Sequence, residues 1–145
     1  MVRSTSVMAV VLAAGLIVAA PAEAAKWRGK TRQGRGVSIH TGADGRVNFG
    51  HIRYRVPCRD GTEVRGGVHF LPPLDMSTTT SFADRGPYKF RIGRIRVRAN
   101  ASTEGGLRRS GRWTGTFSVR MRLTRNGRLV TTCRLRNVGW KASPV

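Results

Sequence analysis

From Trp113 to Leu123 the chain alternates without a slip. Trp113, Gly115, Phe117, Val119, Met121 and Leu123 fall on one parity, and Arg112, Thr114, Thr116, Ser118, Arg120 and Arg122 on the other. A helix would repeat its apolar face about every 3.6 residues, so a period of two sustained this long predicts a strand. One face of that strand is dry and the other wet, which is the pattern of antiparallel sheet and not of the doubly buried parallel kind.

The same alternation recurs along the chain. Val37 and Ile39 share a face, as do Val47 and Phe49; a phase slip at Gly50 then predicts a β-bulge, after which Ile52, Tyr54, Val56 and Cys58 continue. Val64, Gly66, Val68 and Phe70 line another strand. Tyr88–Ala99 reads as one strand with a slip near Gly93, and Gly105-Gly106 as the turn that follows it. Leu129, Thr131, Cys133 and Leu135 form the penultimate strand, and Val138, Trp140 and Ala142 a short last one. Asp44-Gly45, Asp60-Gly61 and Asn126-Gly127 separate these runs and predict tight hairpins, because their central residues tolerate positive φ. Leu71–Asp84 has neither period and contains Pro72-Pro73 and a Ser/Thr run, so it reads as a long connection. No helical pattern is present beyond the N-terminal segment. About eight antiparallel strands predict an all-β domain, either a small β-sandwich or a flattened β-barrel.

The N-terminus has a different character. Arg3 precedes an uncharged apolar run, Val7–Ala20; Pro21 ends it and Ala22-Glu23-Ala24 offers a small-x-small cleavage site. Residues 1–24 therefore read as a signal peptide; the run is shorter than the roughly 20 residues that span a bilayer. Residues 25–36 are basic, with Trp27 their only large apolar group, and read as a partly disordered leader. Residues 37–145 form the single β domain. The expected destination is secretion, with association at the cell wall.

An exported chain with two cysteines, Cys58 and Cys133, is expected to form one disulfide. Charge is the other dominant property: 27 Lys and Arg against 7 Asp and Glu give +20. Arginine carries most of it. Arg-rich, Ala/Gly/Val-rich composition is also what a GC-rich genome produces, so the excess reads either as compositional or as functional. Its field attracts polyanions in both cases. The arginines alternate along the strands. Arg53 and Arg55, then Arg94, Arg96 and Arg98, Arg120 and Arg122, and Arg134 and Arg136 would each stand about 6.6 Å apart on one face. Guanidinium forks suit phosphate and carboxylate. These nine arginines are the candidate binding residues.

Other chemistry is thinly represented. His40, His51 and His69 fall on faces opposite the apolar residues, and His51 and His69 flank the Asp60-Gly61 turn closely enough to meet across a hairpin. Such a pair could ligate a metal, but surrounding arginines oppose a cation and no metal or other cofactor is expected. Asp75 with Asp84 is the one acid pair that turns do not claim; Asp44 and Asp60 belong to turns. No Gly-x-Ser-x-Gly, Ser-x-x-Lys or His-Glu-x-x-His sequence occurs, so no catalytic residue is assigned and no enzyme is expected.

Trp27-x-Gly29-x-Thr31-x-Gln33-Gly34, Cys58-x-Asp60-Gly61, Gly127-Arg128 with Cys133, and the closing Trp140-x-Ala142 resemble a group of small secreted actinobacterial β proteins with one disulfide. The resemblance extends over nearly all of residues 25–145. It implies export and β architecture, and no catalytic residue.

The resulting expectation is a secreted, non-enzymatic domain that contacts anionic polymer or another anionic surface of the cell envelope through an Arg-rich sheet face. Nucleic acid would bind non-specifically by the same counterion release. The alternative is a protein-interaction module or hydrolase inhibitor that uses the 71–84 loop.

Overall fold

The structure, a computed structural model, describes residues 24–74 and 78–145. All but the last residue of the expected signal peptide lies outside them, as does Asp75. Eight strands run β1 (Lys26–Thr31), β2 (Gly36–Thr41), β3 (Val47–Pro57), β4 (Glu63–Phe70), β5 (Ser81–Ile92), β6 (Ile95–Leu107), β7 (Trp113–Arg125) and β8 (Arg128–Pro144). They form one antiparallel sheet in the order β4-β3-β2-β1-β8-β7-β6-β5. The sheet curls into a nearly closed, flattened barrel, and no helix occurs among the described residues.

Hairpin chemistry produces this order, because every chain neighbour except β4 and β5 is joined by a tight turn. Asn126 (φ 48°) and Gly127 (φ 75°) make a two-residue turn between the paired Arg125 and Arg128, the left-handed geometry that asparagine and glycine permit. At Asp60-Gly61 the turn is one residue longer: Cys58 N–H donates to Thr62 O at 2.8 Å, and Gly61 N–H to Cys58 O at 3.1 Å. The same two-bond pattern recurs at Thr31–Arg35, Gly42–Arg46 and Arg108–Arg112.

The core lies inside the curl. Trp113, Tyr54, Phe117, Ile39 and Ile52 are its largest fully buried side chains. Tyr54 stacks on Phe117 at 5.7 Å and passes over Gly66 of β4, where a Cβ would lie 2.9 Å from its hydroxyl oxygen. Its hydroxyl meets that of Tyr88 on β5 at 2.8 Å. Side chains thus join the two ends of the sheet where backbone pairing stops. Burial raises the pKa of both tyrosines.

The disulfide joins Cys58 to Cys133. It pins the end of β3 onto β8, next to a 3.0 Å bond from Arg59 N–H to Thr132 O. Below this point β8 has outrun β1, which pairs only with Trp140–Pro144.

Six local expectations need correction. Residues 25–36 are not a disordered leader: β1 lies between β2 and β8, with Trp27, Gly29 and Thr31 turned inward. The Trp27 indole N–H donates to Gly111 O at 3.0 Å. Tyr88–Ala99 is two strands, because the chain reverses at Gly93-Arg94. Gly105-Gly106 lies inside β6 and makes no turn. The long connection ends at Thr80, since Ser81 begins β5 and Phe82 is buried. Val47 and Phe49 do not share a face: the register places Phe49 opposite His40 and Val47 opposite Thr41, so the extra residue is Asn48 and not Gly50. Val138, Trp140 and Ala142 continue β8 through a register shift and are not a separate strand.

Candidate polyanion-binding face

Strand order decides which arginines meet. On the outer face of β5–β8, Lys89 stands opposite Arg98 and Arg98 opposite Arg122. One step along, Asn100 faces Arg120 and Arg120 faces Arg134; on the other side Arg91 faces Arg96. Neighbouring strands are about 4.8 Å apart, so these cations stand closer across the sheet than along it. Like charges directly opposite one another are destabilising, and an anion laid across them relieves that repulsion.

The rows bound an open groove of about 820 Å³. Its floor is the cross-strand row Ala99, Met121 and Cys133, and Arg98, Arg122, Arg120 and Arg134 stand along it. The disulfide fixes one wall by seating Pro57–Arg59 on β8, which brings Arg59 to the rim. No acidic residue lines the groove. An adjoining recess of about 440 Å³ carries Arg85, Arg120, Arg134 and Arg136 with the polar groups of Ser102, Ser118 and Asn137. The Asn137 N–H donates to Ser118 Oγ at 2.9 Å, which holds the irregular stretch of β8 that presents Arg136. Burial, Arg136 and Arg120 together lower the Arg134 pKa from its ordinary value.

Of the nine candidate arginines, Arg96, Arg98, Arg120, Arg122 and Arg134 therefore share one face, and Arg136 borders it. Arg94 does not belong to a strand ladder; it occupies the β5–β6 turn. Arg53 and Arg55 lie on β3, three strands from β8, facing Gly67 and Arg65. Arg65 in turn bonds Glu63 at 2.8 Å. Sequence reasoning missed Arg59, Arg85, Lys89 and Arg91. The alternation of Arg85, Lys89 and Arg91 was visible, but reading 71–84 as loop and 88–99 as one strand concealed that β5 belongs to this face.

The histidines occupy the other half of the sheet. His51 and His69 are directly opposite, with rings stacked 4.3 Å apart, and Phe49 lies 5.4 Å from His69 and 5.1 Å from His40. No group of three or more His, Cys, Asp or Glu that could hold a metal occurs among the described residues. Burial first, then His69 and Arg53, lowers the His51 pKa below 6.5. A base with a depressed folded pKa is protonated more readily in the unfolded chain, so its contribution to stability is lost as pH falls through and below 6.5. His51→Gln should therefore flatten the fall in melting temperature between about pH 7 and 5. The carboxylates with lowered pKa, Asp60 and Glu63, lose their contribution only at lower pH. Melting curves across that range check this; an unchanged slope in the variant would show that His51 does not carry it.

Of the acid pair considered from sequence, Asp84 is in β5 opposite Thr103 and not in a loop, and Asp75 lies outside the described residues.

No protein-family model matches the chain, and comparison with curated proteins and with solved structures finds no relative. The chemistry of the site must be read from its own geometry. That geometry is a set of exposed guanidinium groups gathered on one face of an antiparallel sheet, a chemistry suited to anions. Among the described residues, no helix is long and apolar enough to cross a membrane.

Proposed function

We propose that the protein is an exported, non-enzymatic domain that holds an anionic polymer of the cell envelope against the outer face of β5–β8. The observation that carries this reading is the register itself: Lys89, Arg98 and Arg122 in one row and Arg120 with Arg134 in the next, around a groove without an acidic side chain. A phosphate- or carboxylate-bearing chain laid along the groove would meet forked donors from three strands. Export is supported by the N-terminal segment and by the disulfide, a bond that persists in oxidising surroundings.

The experiment is a salt titration of the oxidised protein with its own cell-wall fraction and with soluble polyphosphate. Arg98→Ser, Arg120→Ser and Arg134→Ser together should lower affinity by roughly 100-fold near 150 mM salt and reduce the log–log salt slope by about 3. A second variant, Arg53→Ser, Arg55→Ser and Arg65→Ser, removes the same charge from the other half of the sheet. It should change affinity by no more than about threefold. Equal losses in the two variants would show that net charge alone attracts the polymer and would overturn the reading.

A further inference from the structure

Five large apolar side chains are exposed among the described residues: Leu71, Ile92, Leu129, Val130 and Val145. Single exposed residues of this kind are ordinary on protein surfaces. Three of these, however, are gathered at one end of the sheet. Ile92 closes β5 at the β5–β6 turn, and Leu129 and Val130 open β8 after the β7–β8 turn. The two hairpins are neighbours, because Arg96 of β6 pairs with Thr124 of β7, which pairs with Leu129. Val130 is the extra residue of a bulge: Leu123 faces Thr131 and Thr124 faces Leu129, so Val130 has no partner across the strand. Their exposures are 44%, 50% and 45%. Ile95 and Phe90 lie half-buried behind them and join these tips to the core.

The same tips are cationic. Arg91 and Arg94 flank Ile92, and Arg125 and Arg128 flank the turn before Leu129; all four are exposed. We propose that this end of the protein docks on an anionic lipid bilayer, with Ile92, Leu129 and Val130 entering the headgroup–acyl boundary and the four arginines pairing with lipid phosphates. Apolar residues ringed by long basic side chains suit that interface, where the charged heads reach water while their stems and neighbours are buried. A second copy of the chain is a poorer occupant, since apposing two such ends would set the arginines of one against those of the other. The inference goes beyond the polymer reading, because it uses the hairpin tips and their apolar side chains, and shares only Arg91 with the outer face of β5–β8.

The test uses the oxidised protein with vesicles of phosphatidylcholine, with or without about one-third phosphatidylglycerol. Leu129→Trp places an indole at the tip. Its emission should shift to the blue on anionic vesicles and stay unchanged on soluble polyphosphate. Ile92→Ser, Leu129→Ser and Val130→Ser together, at exposed positions that leave the core intact, should weaken sedimentation with anionic vesicles on the order of 100-fold and leave polyphosphate binding unchanged. The Arg98, Arg120 and Arg134 variant should lose polyphosphate binding yet still allow the blue shift at saturating lipid, so the two proposals fail separately. Vesicle binding without a blue shift, or unaltered binding of the tip variant, would overturn the inference. So would dimerisation without lipid that the tip variant abolishes, which would make this end a self-association surface.

Discussion

Cys58→Ala with Cys133→Ala is expected to cost about 4 kcal/mol, because the bond closes a loop whose ends are 75 residues apart and the open loop restores that entropy to the unfolded chain. For a domain of this size the loss corresponds to a fall in melting temperature on the order of 15 °C. Local geometry adds to the effect. Among the described residues β1 pairs with β8 along Trp140–Pro144 and not at Cys133, where backbone pairing of the early half of the sheet with β8 is replaced by the Cys58 bridge and the hydrogen bonds beside it. Without it, Arg59 is no longer held at the rim of the groove, and polymer affinity should fall along with stability. Thermal unfolding of oxidised, reduced and alanine-substituted protein checks this. A loss below about 1 kcal/mol would mean that the bonds from Arg59 N–H to Thr132 O and from Asp60 N–H to Thr131 Oγ1 hold the corner without the disulfide.

Gly115→Ala should be comparably damaging, although it adds a single methyl group. A Cβ at Gly115 would run into the Glu104 carbonyl oxygen and the ring of Trp140. Neither can yield. The carbonyl belongs to the β6 ladder, and the Trp140 indole N–H donates at 3.2 Å to Thr103 Oγ1, whose own hydrogen bonds Thr116 O at 2.8 Å. The ring extends on over Gly105, the cross-strand partner of Gly115, where a Cβ would lie 2.7 Å from it, and lies 6.0 Å from Phe82. Overpacking of this kind against backbone costs about 3 kcal/mol or more. Gly86→Ala is the matched control, since nothing lies within 4 Å of a Cβ there; it should be neutral within about 0.5 kcal/mol. Urea unfolding of the two variants measures the difference. Equal stability would show that the β6–β7–β8 sheet can part enough to admit the methyl group.

These two sites also show where sequence reasoning succeeds and fails. The cysteine pairing followed from there being only two in a chain that reads as exported. The role of Gly105 did not follow. A Gly-Gly pair after a strand-like run looks like a turn, and nothing nearby in sequence announces that Trp140 will lie across it. β1 was misread for a related reason. Its inward residues are Trp27, Gly29 and Thr31, so only one is large and apolar, although the period of two was present. Gly29 is required because the Lys141 carbonyl of β8 crosses where its side chain would be.

The candidate site divides in the same way. Alternation alone put Arg96 with Arg98, Arg120 with Arg122, and His51 near His69, because each depends on one strand or one hairpin. It gave no means of separating Arg53 and Arg55 from the groove, of recruiting Lys89 and Arg91, or of placing Arg59 at its rim.

By itself, then, the sequence determined the strands with strong alternation, their antiparallel sense, the glycine turns that join them, the disulfide and the cationic character of the outer surface. These are local properties, fixed by side-chain parity, by the φ that a turn demands and by composition. Tertiary structure decided which faces became neighbours. β8 pairs with β1 from the far end of the chain and with β7 beside it, and that closure divides the arginines between two halves of the barrel, gathers one set around a groove and leaves the apolar tips at one end. The physical reason is that a strand presents its face without specifying its partner; the partner is chosen by long-range packing, which no short stretch of sequence contains.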